Sequence, residues 1–352
     1  MGLFQSKSIV GIDVGSTYIK LAELALSKKG AKLVRFSFIP TPPGALDRGE
    51  VIDGVALANA IKDLHKQSGT KSKNVCVGIW GTAVIVKKIT ISGVEEKFVN
   101  EIIRDEAEQY IPFDLNDINL EYWVLRNRPK SIESIDLLII GAQKDYVFKY
   151  AEAVETAGLH CAIVDVSGFA LANCFQMNYG ELPGEVVGIL NFGASVTNFV
   201  IVDNGDVVFS RDVPVGGQTF TSDIQKQMGI SLEEAEALKM SYGRGEAAPE
   251  QVGQIIQSSC DGVIEEITRS LDFYNTTAAE SPIQKFFITG GGSLTPHLKE
   301  NLEKAIGLSS TYLDPFTSIQ YDPKAFSEQE IQGFGPFAGV AIGLASRKVG
   351  DK

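Results

Sequence analysis

Two segments place a glycine and small hydroxyl residues directly after a continuous apolar run. They are Ile9-Val10-Gly11-Ile12-Asp13-Val14-Gly15-Ser16-Thr17 and Val187-Gly188-Ile189-Leu190-Asn191-Phe192-Gly193-Ala194-Ser195. The chemistry this suits is the holding of phosphate, because a tight turn presents backbone N–H groups to an anion and glycine lets the backbone come close. Gly15 and Gly193 supply the turns, and Ser16, Thr17, Ser195 and Thr197 add hydroxyl donors. Asp13, at a strand end, suits a Mg²⁺ ion held through water, and Lys20 further along suits a β-phosphate. One such junction is common by chance, whereas two in the same register are specific. Each is followed by a second strand (Ile19 to Leu26; Thr197 to Asp203), a turn (Lys29-Gly30; Asn204-Gly205) and a third strand (Leu33 to Phe38; Val207 to Arg211). A hairpin repeated in this way predicts duplicated domains.

Late in the chain a third glycine-rich element, Phe286-Phe287-Ile288-Thr289-Gly290-Gly291-Gly292-Ser293, leads toward a helix expected near Thr295-Pro296. Three glycines allow a flat ligand surface to lie on backbone, although a plain strand-to-helix turn is the other reading. With these three elements in order, the chain resembles the actin-like ATPase superfamily and, within it, the PilM family of type IV pilus assembly. The resemblance covers essentially the whole chain. It implies an α/β, actin-like (ribonuclease H-like) fold of two duplicated lobes with an inserted 1C-type subdomain, and ATP and Mg²⁺ as cofactors. Asp13, Gly15, Ser16, Thr17 and Lys20 match the first phosphate motif, and Asn191, Gly193, Ser195 and Thr197 the second. Gly290, Gly291, Gly292 and Ser293 match the adenosine motif, and Gly216 and Gly217 the start of a family helix. Glu236 and Lys239 match a pair placed beside the ribose and base, though a Glu and a Lys three apart on a helix also form an ordinary solvated face.

The chain departs from the superfamily at Asn191, where an Asp is usual, and an amide supplies no negative charge toward magnesium. The loop after that motif offers no His, Asp or Glu before Asp203, so slow or absent hydrolysis is expected. Asp165, just before a helix expected over Ser167 to Met177, is the remaining candidate to position a water, or else only the N-terminal charge of that helix. These departures favour an ATP-binding scaffold over the alternative, a sugar or acid kinase of the same fold.

The 352 residues, 44 % of them hydrophobic, suffice for two domains with separate cores. A net charge of −12 with no basic tract argues against nucleic acid as a partner. Cys76, Cys161, Cys174 and Cys260 have no metal-ligand spacing and read as reduced core thiols of a cytoplasmic protein. No apolar run approaches the ~20 residues a bilayer crossing needs, and Ala338 to Arg347 reads as a domain-closing helix whose Gly339 and Gly343 suggest close packing.

Residues 1–85, 164–184 and 333–352 are expected to form the first lobe, and 185–332 the second, with a helical insert over about 218–282. Residues 86–163 are expected to form the inserted module, its strands and helices in β-α-β-β-α order. Within it, Tyr110-Ile111-Pro112-Phe113 resembles a family signature. The resemblance implies that the groove between this module and the first lobe receives the cytoplasmic N-terminal tail of a PilN-type inner-membrane protein, which would hold the protein peripherally at that membrane. Tyr110, Ile111, Pro112 and Phe113 are candidates for shaping the groove, or else a hydrophobic helix end turned by Pro112. Pilus motor ATPases and platform proteins are further implied partners, and self-association stays open.

Overall fold

β1 (Ile9–Val14) is buried along its whole length because both of its faces are covered. Val10, Ile12 and Val14 enter one core, while Gly11 faces a helix on the other side so closely that a Cβ would overlap the Ala341 carbonyl. The structure is a computed structural model that describes residues 9–126, 134–277 and 282–351. β1 pairs antiparallel with β2 (Tyr18–Ser27), which pairs with β3 (Gly30–Pro40). A short hairpin, β4 (Leu46–Asp47) and β5 (Glu50–Val51), precedes α1 (Gly54–Ser68). That helix is capped by the Asp53 side chain and stopped by Gly69 in the left-handed region, φ 68°. β6 (Asn74–Ile79) then pairs parallel with β1.

The inserted module follows: β7 (Val84–Ser92), α2 (Val99–Ala107), β8 (Ile118–Val124) and β9 (Ser134–Gln143) form a three-stranded antiparallel sheet in the order β7-β9-β8, covered by the helix. Its core holds Ile89, Val99, Ile103, Ile111, Leu137 and Ile139. The apolar pattern predicts the module's second strand over Leu120 to Asn127, and Asn127 lies outside the described residues. α3 (Lys144–Thr156), expected in the module, instead belongs to the first lobe, and so does the whole of β10 (His160–Val166), whose first residues fall within the expected module bounds. Tyr146, Tyr150 and Val154 pack with Val10 and Ile12, and β10 pairs parallel with β6, so their apolar faces complete the first sheet.

The second lobe repeats the first. α4 (Ser167–Tyr179) leads into β11 (Val186–Phe192), β12 (Thr197–Asp203) and β13 (Asp206–Val213), then α5 (Gly217–Met228), α6 (Leu232–Gly243) and α7 (Glu250–Thr277). β14 (Lys285–Thr289), α8 (Leu298–Ile306) and β15 (Ser310–Tyr312) complete it, and α9 (Glu328–Ala345) then returns to the first lobe, where Gly11 of β1 lies against Ala341. The two five-stranded sheets, β3-β2-β1-β6-β10 and β13-β12-β11-β14-β15, share one pattern of two antiparallel pairings followed by two parallel ones. α4 and α9 lie between them in a shared core with Ala22 and Leu24 from one sheet and Ile189, Val200 and Val202 from the other. α9 begins earlier than the sequence pattern suggests, because Ser327 and Glu330 form a reciprocal cap ahead of its apolar part.

Candidate functional site

The two repeated turns close identically. Gly15 N–H donates to the Tyr18 carbonyl at 3.1 Å, and Gly193 N–H to the Val196 carbonyl at 2.9 Å. A Cβ on Gly193 would stand 2.7 Å from that same carbonyl oxygen, so glycine is required there by close approach. The turns face each other across the lobes, with the Ser16 and Ser195 hydroxyls hydrogen-bonded at 2.5 Å. Thr17 is exposed beside them. Thr41 braces the first turn through Thr41 Oγ1 to the Gly15 carbonyl at 2.6 Å and Thr41 N–H to the Thr17 carbonyl at 2.9 Å. Its only signal in the sequence is its place in the run Pro40-Thr41-Pro42-Pro43.

Asp13 and Lys20 stand opposite each other across β1 and β2 and form an ion pair at 2.7 Å. The equivalent positions of the second hairpin, across β11 and β12, are Asn191 and Asn198, which pair as neutral amides, Asn191 Nδ2 donating to Asn198 Oδ1 at 2.7 Å. Asn198 Nδ2 in turn donates to Asp212 Oδ1 at 2.7 Å, and Asp212 Oδ2 accepts the Gly81 N–H of the first lobe at 2.6 Å. Burial raises the pKa of the Asp212 carboxyl, and the Gly81 and Asn198 donors oppose the rise. Neither Asn198 nor Asp212 is singled out by the sequence.

The other glycines converge on Phe192-Gly193-Ala194. At the start of α5, Gly217 N–H donates to the Gly193 carbonyl at 2.9 Å and Gln218 N–H to the Ala194 carbonyl at 2.7 Å. A Cβ on Gly216 would stand 2.6 Å from the Ala194 oxygen, and one on Gly292 would stand 2.9 Å from the Gly193 oxygen. Gly290 adopts φ 89° and anchors the turn to α9 by its N–H to the Pro336 carbonyl at 2.6 Å, while the Cβ direction of Gly291 is open. Lys239 is not on a solvated face. Its ammonium reaches the Gly217 carbonyl at 3.1 Å, Thr221 Oγ1 at 2.8 Å and Glu236 Oε2 at 2.7 Å, tying α6 to the first turn of α5, whereas Glu236 stays half exposed.

Three expected ligand groups are otherwise engaged. Thr197 is buried and its hydroxyl donates to the Val215 carbonyl at 2.7 Å, because strand alternation puts Asn198, not Thr197, on the face toward the other lobe. Ser293 is buried and donates to the Gly290 carbonyl at 2.7 Å, closing its own turn. Asp165 lies in register with Gly78 and Asp13 but is paired with Arg347 just beyond α9, the counter-ion a buried carboxylate needs. Burial raises its pKa and Arg347 opposes the rise.

In the module, Ile111 belongs to the core, which corrects its place among groove candidates. Tyr110 and Pro112 are exposed and Phe113 packs partly against that core. The module also touches the second lobe. Arg126 N–H donates to Asp206 Oδ2 at 2.5 Å, its Nε to Asp206 Oδ1 at 3.0 Å and its guanidinium to Glu181 at 3.2 Å. Lys87 of β7 sits 5.2 Å from the centre of the Phe273 ring, which Arg211 approaches at 5.9 Å.

A profile of the type IV pilus assembly protein PilM family matches residues 11–349. The chain belongs to that family. Among solved structures, the PilM-PilN type IV pilus biogenesis complex aligns with a TM-score of 0.87 and 29% identity, covering 98% of this chain and 100% of that one. MreB 5 of Spiroplasma citri bound to AMPPNP aligns with a TM-score of 0.52 at 14% identity, covering 96% and 95%, a likeness of fold. The PilM-family chain is also 20% identical to the cell division protein FtsA of Streptococcus pneumoniae serotype 2 over 85% of its own length and 73% of that protein's. It spans 59% of the Enterococcus faecalis FtsA, at 22% identity. Among the described residues, no group of three or more His, Cys, Asp and Glu could hold a metal ion, and no helix is long and apolar enough to cross a membrane.

Proposed function

We propose that this PilM-family chain is an ATP-binding scaffold of a type IV pilus assembly platform that docks the cytoplasmic tail of a PilN-type membrane protein, and through it resides at the inner membrane. The observation that carries the reading is the convergence of two matching turns and two further glycine elements where the lobes meet, together with a module that contacts both lobes. The residues suit a nucleotide. The backbone N–H groups that follow Gly15 and Gly193 in the turns would hold phosphates with the hydroxyls of Ser16, Thr17 and Ser195, and Lys20 would move from Asp13 to a phosphate oxygen. Asp13 would then be free to hold the nucleotide's Mg²⁺ through water, the chemistry of a lone carboxylate rather than of a protein metal cage. Gly216, Gly217, Glu236, Lys239 and the Gly290–Gly292 backbone would border the adenosine. A kinase needs a free acid or base for its acceptor; with Asp13 given to Mg²⁺, the other carboxylates here, Asp165 and Asp212, are engaged by Arg347 and by Asn198 and the Gly81 N–H. Tyr110 and Pro112, exposed beside the module's core, are the groove residues this reading offers.

The test is a calorimetric titration of the ATP-loaded protein with a peptide copied from the N-terminal tail of the PilN-type protein of the same organism. Saturable one-to-one binding is expected. Absence of heat in protein shown to hold ATP overturns the docking reading.

A further inference from the structure

We propose that Asp212 is the positioning residue of the second phosphate loop: acting through Asn198, it fixes the Asn191 side chain with its amide oxygen, not its amino group, presented to the ligand. The inference rests on the nucleotide reading above. An amide offers two donors on one side and an acceptor on the other, so its polarity is decided by what it faces. An ionised carboxylate only accepts, and Asp212 takes the Gly81 N–H on one oxygen and Asn198 Nδ2 on the other. Asn198 must therefore turn its oxygen away from Asp212, and that oxygen takes Asn191 Nδ2.

The row is then determined to its end, and Asn191 Oδ1 is the atom left over. It lies at the Gly290 turn, where a Cβ on residue 290 would stand 2.7 Å away. Asn191, though neutral, thus shows an acceptor at the position where the superfamily resemblance implies a carboxylate. The negative charge has moved along the sheet to Asp212, and two aligned amide dipoles carry its influence back to the loop. Such an oxygen receives an O–H group, and the one this cleft would supply is a water in the shell of nucleotide-bound Mg²⁺. The second oxygen of Asp212 accepts the Gly81 N–H, so the row also joins the second lobe to the first.

The experiment compares calorimetric affinities for ATP with Mg²⁺ and for ATP in EDTA, on the full chain, with thermal melting as a control of folding. Asp212→Asn keeps the shape but must accept the Gly81 N–H and so turns its amino group to Asn198, reversing the whole row and pointing the Asn191 amino group at the ligand. Mg-ATP affinity is expected to fall about tenfold, the worth of one hydrogen bond in a charged setting, with ATP in EDTA changed less than about twofold. The combined exchange Asn198→Asp with Asp212→Asn satisfies every donor again and restores the Asn191 orientation, so it is expected to recover Mg-ATP affinity. A merely structural Asp212 would not be rescued by moving the charge one strand over. Unchanged Mg-ATP affinity in Asp212→Asn, or no recovery in the folded double variant, overturns the proposal. If Asp212→Asn does not fold, Asn198→Ala, which cuts the row at its middle, must lose the same magnesium-dependent increment or the proposal fails. A parent protein that binds no ATP under any condition removes the nucleotide reading itself, a different result from one that binds ATP but ignores Asp212.

Discussion

At the scale of single residues, the site is governed by matched polarity. The first hairpin places a charged pair, Asp13 and Lys20, where the second places two amides, and the second tolerates neutrality only because Asp212 terminates the row. Restoring the usual acid by Asn191→Asp therefore does not simply complete the motif. A carboxylate at 191 faces Asn198 Oδ1, and if Asn198 flips to meet it, that oxygen faces Asp212 instead, so one acceptor pair stays opposed in either arrangement. The variant is expected to lose about 1–3 kcal/mol at neutral pH, the cost of an unsatisfied buried polar group, and to regain it when Asp212→Asn is added. Urea unfolding of the single and double variants measures both. The departure at Asn191 is legible in the sequence, but its compensation is not. Counting back from the turn at Asn204-Gly205 puts Arg211 opposite Asn198, and only the bulge between Ile201 and Val202 shifts the register to bring Asp212 there.

At the scale of elements, the repeated hairpins are readable because apolar runs, glycines and turn residues are local signals. Which sheet an element joins is not local. α3 and β10 follow the module in sequence yet close the first sheet, since periodicity reports that a face is apolar and not what will cover it. Gly339 and Gly343 of α9 were legible as close-packing residues, and the structure separates them. A Cβ on Gly343 would overlap the Ala170 carbonyl of α4, which is backbone and cannot move aside, while one on Gly339 would stand 3.3 Å from the end of the Leu171 side chain. Gly343→Ala is expected to destabilise by about 3 kcal/mol, at the upper end of overpacking costs. Gly339→Ala should fall near neutral, because the ~1 kcal/mol gained by replacing glycine in a helix offsets the adjustment of Leu171. Thermal or denaturant unfolding of the pair distinguishes them, and equal losses would contradict the crossing of α4 and α9 as described.

At the scale of the molecule, the inserted module is joined to the first lobe by chain continuity and by Val84 and Ala142 in that lobe's core, and to the second by polar and cation–ring contacts. Arg126 reaches Asp206, and Lys87 lies over Phe273, on elements that belong to the second lobe's sheet and helical insert. A ligand that fixes the two lobes relative to each other thereby restrains the module, and a peptide that prefers one module position must favour one arrangement of the lobes. Linkage makes this reciprocal, so whatever factor ATP applies to peptide affinity, the peptide applies to ATP affinity. Arg126→Ala tests the connection, because the backbone N–H of residue 126 still donates to buried Asp206 and the lobe itself keeps its core. The parent is expected to bind the PilN-type tail peptide several-fold differently with and without ATP, within the roughly 5- to 150-fold range of ordinary allosteric couplings. In Arg126→Ala that factor should shrink toward one, measured from either ligand, while the peptide still binds. A coupling factor unchanged by the substitution would mean that the Arg126 side chain does not carry the signal, which would then pass through the remaining Lys87–Phe273 and residue-126 N–H contacts or through the first lobe.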